Sequence, residues 1–502
     1  MNLAWKTAKN SVYAVAEYAW PIALALFTAP FIVNHLGASG YGLLSIVGVT
    51  LGFFGFLDLG IGAAATRQVA AYYDREQHEK IGIVLSTAVA FYLLVGVAGS
   101  LLILALTDTL VSDVLKIPPE QTATAKTAFY VSALALPVSL VVSAFTAVPR
   151  AIQRFDVSTK ISFVFATTSS VAVVVLLALG KGIVAILVAG LLMGLVGLLV
   201  GFLVIRRLLP TVRIRISIDP HMLRELLSFG GYFFLSTIGA LLLYQLDKFL
   251  IGAFLGVVAV TYYVVPGNLA QRIQGLAAAA VAVVFPVSAS LFAAAEREAL
   301  QRLYTEGSRL VLILIVSIAV PLAVFAERFL AHWMGPEIAS GSATTMMILV
   351  ATYALLSTTG MAWSIANGLG RARINAAFTF AIFIVDVGLF LLLIGHYGVP
   401  GAAAAYLASA IVGVPALIAC VERKLLELSG IEFLRVSWRV GVTGVLQLLI
   451  GLALRPLAVN LWSVLALMVF VFALFFPLYW GLGFAREGDR LLLSLFVRRV
   501  RG

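Results

Sequence analysis

Long apolar runs separated by short polar stretches extend along almost the whole chain. An α-helix needs about 20 apolar residues to cross the hydrocarbon layer of a membrane, and most of the runs reach that length. The pattern therefore predicts about fourteen transmembrane helices. Their predicted bounds are 11–36, 40–67, 81–106, 122–148, 161–179, 183–205, 226–254, 258–292, 306–325, 343–366, 374–394, 401–420, 440–454 and 461–484.

The composition indicates the same class. Hydrophobic residues make up 62% of the 502 residues and charged residues only 11%, whereas a soluble domain carries about 25% charged residues. We therefore predict an all-α polytopic membrane protein.

The distribution of Lys and Arg predicts the orientation. Most of the 34 fall in loops or at helix ends on one side of the membrane, the side that also holds both chain ends. Cytoplasmic loops are enriched in these residues, so we expect both termini to lie in the cytoplasm. The net charge of +11 is divided among short loops and forms no continuous basic face for nucleic acid.

The longest predicted cytoplasmic loop divides the chain into two halves. We predict an N-terminal six-helix lobe (1–205), a linker (206–225), a C-terminal six-helix lobe (226–422), two extra helices (438–484) and a basic cytoplasmic tail (485–502). Segments 31–37 and 250–256 end the first and seventh helices with similar sequences, and segments 151–156 and 366–371 follow the fourth and tenth. This order predicts a parallel repeat about an axis along the membrane normal.

Several classes of function are not favoured by the sequence. The single Cys420 excludes an internal disulfide, and the five scattered histidines lack metal-ligand spacing. No phosphate-binding loop is present for ATP, so neither a metal nor a cofactor is expected. The predicted outer loops 107–121 and 327–342 carry no catalytic constellation, which argues against a membrane enzyme such as a sugar polymerase or ligase.

Some segments resemble a known family of transporters. They are 40–46 continuing to 56–67, the pair Phe229-Gly230, the segment 247–252 and the turn 153–156. They are similar to the polysaccharide exporters (Wzx-like flippases) of the MOP superfamily, which also contains the MATE drug exporters and the MurJ-type lipid II flippases. The resemblance implies two six-helix lobes around a central cavity.

One arginine lies deep inside a predicted helix. Arg272 is ten or more residues from either end of the eighth helix, too deep to reach water easily. Asn268 and Gln271 add a polar stripe beside it. A guanidinium presents a bidentate fork to phosphate oxygens, so we expect these three residues to bind a pyrophosphate. The alternative is an interhelical ion pair with Asp247 or Asp386.

Four further basic residues are candidates for binding the substrate. Lys248 lies in the seventh helix and is either a second cavity contact or a side chain that reaches the outer surface. Arg67, Arg150 and Arg154 fall where the second and fourth helices reach the cytoplasm. They either collect anionic headgroups or only set the topology. All other Lys and Arg residues are assigned to helix ends or loops.

Four acidic residues fall within predicted spans: Glu17, Asp58, Asp247 and Asp386. A carboxylate in an apolar span is costly unless it serves a function or has a partner, so we expect at least one of them to couple transport to a proton or sodium gradient. For Asp58 the alternative is local, as a helix cap or a partner of Arg67.

Together these features predict a flippase for undecaprenyl-pyrophosphate-linked oligosaccharide in surface polysaccharide biosynthesis, working by alternating access. That substrate is what the family resemblance implies. A lipid II flippase and a MATE-type multidrug or cation antiporter are the alternatives. The expected partners are the lipid-linked oligosaccharide, a proton or sodium ion, membrane lipids and polysaccharide-assembly proteins.

Overall fold

A computed structural model describes the backbone of residues 3–282 and 284–484. Side chains are described for residues 20–228, 238–239, 242, 245–282 and 284–484. Within these ranges the regular elements are helices and no strand forms. The predicted basic tail (485–502) lies outside the described residues.

The helices are numbered in chain order. They are α1 (Leu3–Phe54), α2 (Ile61–Asp74), α3 (His78–Asp108), α4 (Pro119–Ala151), α5 (Phe155–Ala178), α6 (Ile183–Leu208), α7 (Pro220–Leu255), α8 (Val257–Val281), α9 (Val284–Ala293), α10 (Arg297–Val324), α11 (Ala326–Met334), α12 (Pro336–Ser357), α13 (Gly360–Gly368), α14 (Ala372–Lys424), α15 (Glu432–Leu454) and α16 (Leu461–Gly481). Short 3₁₀ turns occupy Gly55–Asp58 and Arg455–Leu457, and Thr109–Val114 is π-helical.

The helices confirm a multi-pass membrane protein. Within the described residues, 11 helical stretches are long and apolar enough to cross a membrane. Two of the assigned helices, α1 and α14, are each bent at a single glycine, because Gly37 and Gly398 have non-helical backbone angles. The count of fourteen spans remains a prediction.

Three helices that were predicted to be continuous are interrupted. The second (40–67) breaks after Phe54 at a 3₁₀ turn and at Leu59 and Gly60, which have φ of +48° and +75°. The eighth (258–292) divides into α8 and α9, and the tenth (343–366) into α12 and α13. The few polar residues at two of these breaks, Asp58 and Thr358-Thr359, do not end the surrounding apolar runs, so hydropathy alone did not detect the breaks.

The two predicted outer loops are largely helical. Segment 107–121 contains the π-helical stretch, and segment 327–342 contains α11 and the start of α12. A helix satisfies its own backbone hydrogen bonds and can continue into the polar layer of the membrane. Hydropathy identifies only its apolar part, so these loop predictions were wrong.

The chain forms two compact units, Met1–Thr261 and Tyr262–Gly502. In the first unit, α7 packs against α1, α2 and α3. The predicted linker is held against the start of α3, where the backbone N–H groups of Arg215 and Asp219 donate to Ser86 Oγ (2.9 Å) and Thr87 Oγ1 (3.2 Å). The boundary between the two compact units, after Thr261, therefore lies further along the chain than the predicted linker. The lobe boundary at 206–225 remains a prediction.

The backbone supports the predicted repeat. Gly37 has φ +69° and ψ 175°, and Gly256 has φ +83° and ψ 173°. After α4, Gln153 has φ +58° and the Arg154 N–H donates to the Pro149 carbonyl at 2.7 Å. After α13, Gly370 has φ +72° and the Arg371 N–H donates to the Ala366 carbonyl at 2.8 Å. Nearly the same number of residues separates 37 from 256 and 153 from 370, as a parallel repeat requires.

The breaks at Gly37 and Gly256 lie against each other in the first unit. Thr261 Oγ1 donates to the Ala38 carbonyl at 2.6 Å. Gly42 approaches the Val257 carbonyl so closely that a Cβ atom at position 42 would lie 1.8 Å from the oxygen. Only glycine permits this approach of two backbones.

In the second unit, α15 and α16 pack on α10 around the apolar cluster of Leu312, Val440, Phe475 and Tyr479. The buried Gln447 amide donates to the carbonyls of Ser317 (3.1 Å) and Val471 (2.9 Å). An interhelical hydrogen bond of this kind favours association of helices in an apolar medium. The two C-terminal helices are therefore an integral part of this unit.

Candidate functional site

Arg272 lies on α8 in the second unit. The buried face of α8 contains Ala270, Ile273 and Ala277, and the half-buried Arg272 lies outside this face, one turn after the exposed Asn268. Within the described residues Arg272 takes part in no hydrogen bond or ion pair. The ion pair with Asp386 that was considered as the alternative is therefore not formed in this unit.

The predicted polar stripe on α8 is present. Gln271 is half-buried beside Arg272, and Asn268 is exposed. On the packed side, Gly267 faces Leu349 of α12, which a Cβ atom would approach to 3.6 Å. The helix thus presents amide and guanidinium donors on one side and small apolar residues on the other, an arrangement that leaves the donors available to an anion.

Lys248 lies on α7 in the first unit. Its Nζ donates to Gln245 Oε1 at 3.2 Å, as expected for residues three apart on a helix. The Gln245 amide lies beside Gly52 of α1. The neutral amide of Gln245 thus holds the ammonium of Lys248 in place without neutralising its charge.

Asp247 precedes Lys248 and is buried. Its carboxylate accepts the backbone N–H of Lys248 at 2.7 Å. Its role in ion coupling remains a prediction.

Asp58 caps a helix. Its carboxylate accepts the backbone N–H of Gly62 at 3.1 Å, in the first turn of α2, and the hydroxyl of Tyr92 on α3. A carboxylate at a helix N-terminus satisfies a donor that has no intrahelical partner and interacts favourably with the helix dipole. The local alternative considered for Asp58 is therefore present in the structure.

Asp386 lies in the first half of α14 and is 6% exposed. The halves of α14 pack antiparallel: a Cβ atom on Gly413 would approach Ile382 to 2.2 Å, and one on Gly401 the Leu393 carbonyl to 2.6 Å. This register places Asp386 level with Ser409, so the carboxylate lies within a packed helix pair. The side chain of Glu17 lies outside the described residues.

Two of the three arginines that were predicted to lie on the cytoplasmic side, Arg150 and Arg154, are at the turn between α4 and α5. Arg150 Nε donates to Ser158 Oγ at 3.1 Å. Arg154 makes a bidentate contact with Asp156 at 2.9 and 3.0 Å, and these charged hydrogen bonds raise the pKa of the Arg154 guanidinium. Arg67 is exposed on α2.

The sequence analysis missed two buried charges in the second unit. Glu422 at the end of α14 is fully buried and accepts hydrogen bonds from Tyr304 (2.9 Å) and from the backbone of Phe433 (2.7 Å) and Glu432 (3.2 Å). It therefore caps α15, which begins eight residues earlier than predicted. The twelfth predicted helix ends at residue 420, so Glu422 was not among the acidic residues identified within predicted spans.

Arg309 was predicted to lie at the start of the ninth helix (306–325), but α10 begins at Arg297, so Arg309 lies in its fourth turn and is only 4% exposed. It pairs with Glu306 at 2.8 Å and donates to the Tyr479 hydroxyl of α16 at 3.5 Å. The statement that all other Lys and Arg residues lie at helix ends or in loops was therefore wrong. The i, i+3 spacing of Glu306 and Arg309 was the available signal.

Known proteins were compared with the chain. The profile of the polysaccharide biosynthesis protein family matches residues 8–292, which is more than half of the sequence. A protein of Shigella flexneri described as an O-antigen transporter is 22% identical over 396 residues, covering 79% of this chain and 93% of the relative.

Solved structures with the same fold include a lipid II flippase MurJ in an inward closed conformation, with a TM-score of 0.73 and 13% identity. The match covers 94% of this chain and 99% of that one. An inward-facing MATE family transporter of the MOP superfamily gives a TM-score of 0.65 at 16% identity, covering 86% and 98%. At these identities the structures establish the fold, and the family assignment rests on the sequence profile. The chain belongs to the polysaccharide biosynthesis protein family.

Proposed function

We propose that the protein is a flippase that moves an undecaprenyl-pyrophosphate-linked oligosaccharide from the cytoplasmic to the outer leaflet of a bacterial inner membrane. Both chain termini lie in the cytoplasm. The protein works by alternating access, driven by a proton or sodium gradient, and serves surface polysaccharide biosynthesis together with polysaccharide-assembly proteins. The family match and the O-antigen transporter relative support this class of cargo.

The observation that carries the proposal is that Arg272, inside an apolar helix, has no hydrogen-bond or ion-pair partner among the described residues. A guanidinium inside an apolar helix is costly unless it has a partner or lines a wet site, and no described residue pairs with it. A transported pyrophosphate supplies the missing partner, because its oxygens match the bidentate fork of the guanidinium. Asn268 and Gln271 add neutral donors and acceptors for the sugar or the phosphate.

The charge at these positions also separates the alternatives that share the fold. An exporter of organic cations requires an acidic site, whereas Arg272 and Lys248 are cationic. A lipid II flippase carries a chemically similar cargo. The polysaccharide family profile favours an oligosaccharide linked to the same kind of lipid.

Substitution of Arg272 tests the proposal in cells that depend on this protein for their surface polysaccharide. We expect Arg272→Ala to reduce polysaccharide export by roughly 10- to 100-fold, since charged hydrogen bonds contribute about 1.5–3 kcal/mol. Arg272→Lys should recover part of the activity, because a point charge replaces the fork. Arg302→Ala is the matched control, since Arg302 is an exposed arginine that pairs only with Glu298.

The measurement is the amount of surface polysaccharide per cell, together with the protein level in the membrane and the accumulation of lipid-linked oligosaccharide inside. Loss of export with normal protein levels in Arg272→Ala supports the proposal. Export by Arg272→Ala at the level of Arg302→Ala contradicts it.

A further inference from the structure

A cavity of about 170 Å³ lies between α4, α5 and α6 of the first unit. Its walls include Val142 and Phe145 from α4, Ile161 and Phe165 from α5, and Gly197 and Gly201 from α6. An apolar cavity of about 150 Å³ holds a ligand the size of benzene. The space therefore accommodates several carbon atoms of a hydrocarbon chain.

The surroundings of the cavity are apolar as well. It is partly open, and α5 and α6 expose large apolar side chains such as Phe163, Val164, Leu199 and Leu203. In a membrane these side chains contact lipid, so the cavity is accessible to acyl chains and not to water. Three hydroxyl side chains, those of Thr146, Ser158 and Ser162, also line the cavity, but most of its wall is apolar.

One end of the cavity is basic. Pro149 and Ser158 line it where α4 ends and α5 begins. The hydrogen bond from Arg150 Nε to Ser158 Oγ holds a guanidinium at this rim. Arg206 in the last turn of α6 is at the same end of the helices but on the opposite face of α6 from the lining residues, with its guanidinium 5.2 Å from the centre of the Phe202 ring.

The depth of the cavity fits a lipid as well. From Pro149 to Val142 the wall runs seven residues along α4, or about 10 Å at the helical rise. A ligand that fills it has an anionic group at the arginine end and an unbranched apolar chain that extends into the layer. This is the chemistry of a membrane lipid.

We propose that this cavity binds one anionic phospholipid, with its phosphate at Arg150 and the first part of one acyl chain between α4, α5 and α6. Phospholipids surround these helices in large excess. Juxtamembrane Lys and Arg residues on the cytoplasmic side attract anionic headgroups. The site is separate from Arg272 and does not depend on the transport function.

The test measures lipid binding to the purified, delipidated protein by native mass spectrometry. The probes are phosphatidylglycerol, phosphatidylcholine and undecaprenyl pyrophosphate. Val204→Trp fills the cavity, because Val204 lines it. Leu203→Trp is its control, since Leu203 is the neighbouring residue and is 54% exposed outside the cavity. Arg150→Gln removes the charge at the rim, and Arg215→Gln removes an exposed charge elsewhere.

We expect one phosphatidylglycerol to bind at least tenfold more tightly than phosphatidylcholine. Val204→Trp should weaken this binding tenfold or more, and Arg150→Gln should reduce the preference for the anionic headgroup, with both controls unchanged. Equal binding by Val204→Trp and Leu203→Trp would overturn the proposal. So would tighter binding of undecaprenyl pyrophosphate than of phosphatidylglycerol at a site blocked by Val204→Trp, because the cavity would then hold the cargo lipid.

Discussion

At the scale of single residues, the carboxylate of Asp58 has a well-defined local task. It accepts the Gly62 N–H and the Tyr92 hydroxyl, and so ties the start of α2 to α3. The backbone just before α2 is irregular, since Leu59 and Gly60 both have positive φ. A helix that starts after such a turn depends on a cap for its free N–H groups.

We predict that Asp58→Ala lowers the free energy of unfolding by about 1–3 kcal/mol, the cost of leaving charged hydrogen bonds unmade. The control is Asp113→Ala, which removes an exposed carboxylate in the π-helical turn and should change stability by less than about 0.5 kcal/mol. The effects of Asp58→Ala and Tyr92→Phe should be less than additive, because the two side chains share one hydrogen bond. Unfolding in detergent provides the measurement.

Ion coupling by Asp58 leads to a different result. In that case Asp58→Asn keeps the stability of the parent but abolishes the dependence of transport on the proton or sodium gradient. A stable Asp58→Asn variant with gradient-independent transport would contradict a purely structural role.

The charges that the sequence revealed were those inside long apolar runs. Arg272, Lys248 and Asp386 interrupt hydrophobic sequence, and their positions could be predicted for that reason. Glu422 and Arg309 lie near polar sequence at the ends of predicted helices, and their burial was not predicted. Their burial results from packing of α10 with α14, α15 and α16, which no local pattern encodes.

At the scale of elements, the break in α1 at Gly37 is the feature most sensitive to sequence. Gly37 combines φ +69° with ψ 175°, a region that is essentially restricted to glycine. A Cβ atom there would meet no atom within 4 Å. A side chain at position 37 would therefore destabilise the protein through backbone strain and not through a steric clash.

We predict that Gly37→Ala destabilises the protein by about 1–3 kcal/mol because the alanine is strained in this conformation. Gly48→Ala is a control within the same helix, since its Cβ atom would also meet nothing within 4 Å and the backbone there is helical. It should be neutral or stabilising by up to about 1 kcal/mol. Thermal unfolding of the two purified variants measures the difference.

Equal stability of Gly37→Ala and Gly48→Ala would contradict the break at Gly37. The sequence predicted a break here, because the first predicted helix ends at residue 36 and the second begins at residue 40. The interruptions after Phe54 and Ser357 were not predicted, because the few polar residues there, Asp58 and Thr358-Thr359, do not end the surrounding apolar runs.

At the scale of the whole molecule, orientation in the membrane is the property that the distribution of Lys and Arg predicts most directly. The predicted outer side includes Ser112 and Ser340, and the predicted cytoplasmic side includes Ser217 and Ser429. All four are exposed. Ser158 is also predicted to be cytoplasmic, but it is only 5% exposed and makes a poor labelling site.

We predict the labelling of single cysteines placed at these four exposed positions in a Cys420→Ala background. Cysteines at 112 and 340 should react with a membrane-impermeant thiol reagent in intact cells. Cysteines at 217 and 429 should react only after the cells are opened, because Lys and Arg keep these loops inside. Reversed labelling at any position would show that the orientation is wrong from that helix onward.

The transport of an oligosaccharide lipid across a bilayer can be measured with the purified protein alone. Liposomes would contain undecaprenyl-pyrophosphate-linked oligosaccharide in both leaflets, and an impermeant enzyme outside would modify the sugars it can reach. With the protein present and a proton or sodium gradient imposed, we predict that sugars of both leaflets become modified. With Arg272→Ala, only those of the outer leaflet should be modified, as in protein-free liposomes. Sugars of the inner leaflet that stay protected in the presence of folded parent protein, under either gradient, would contradict the proposed function.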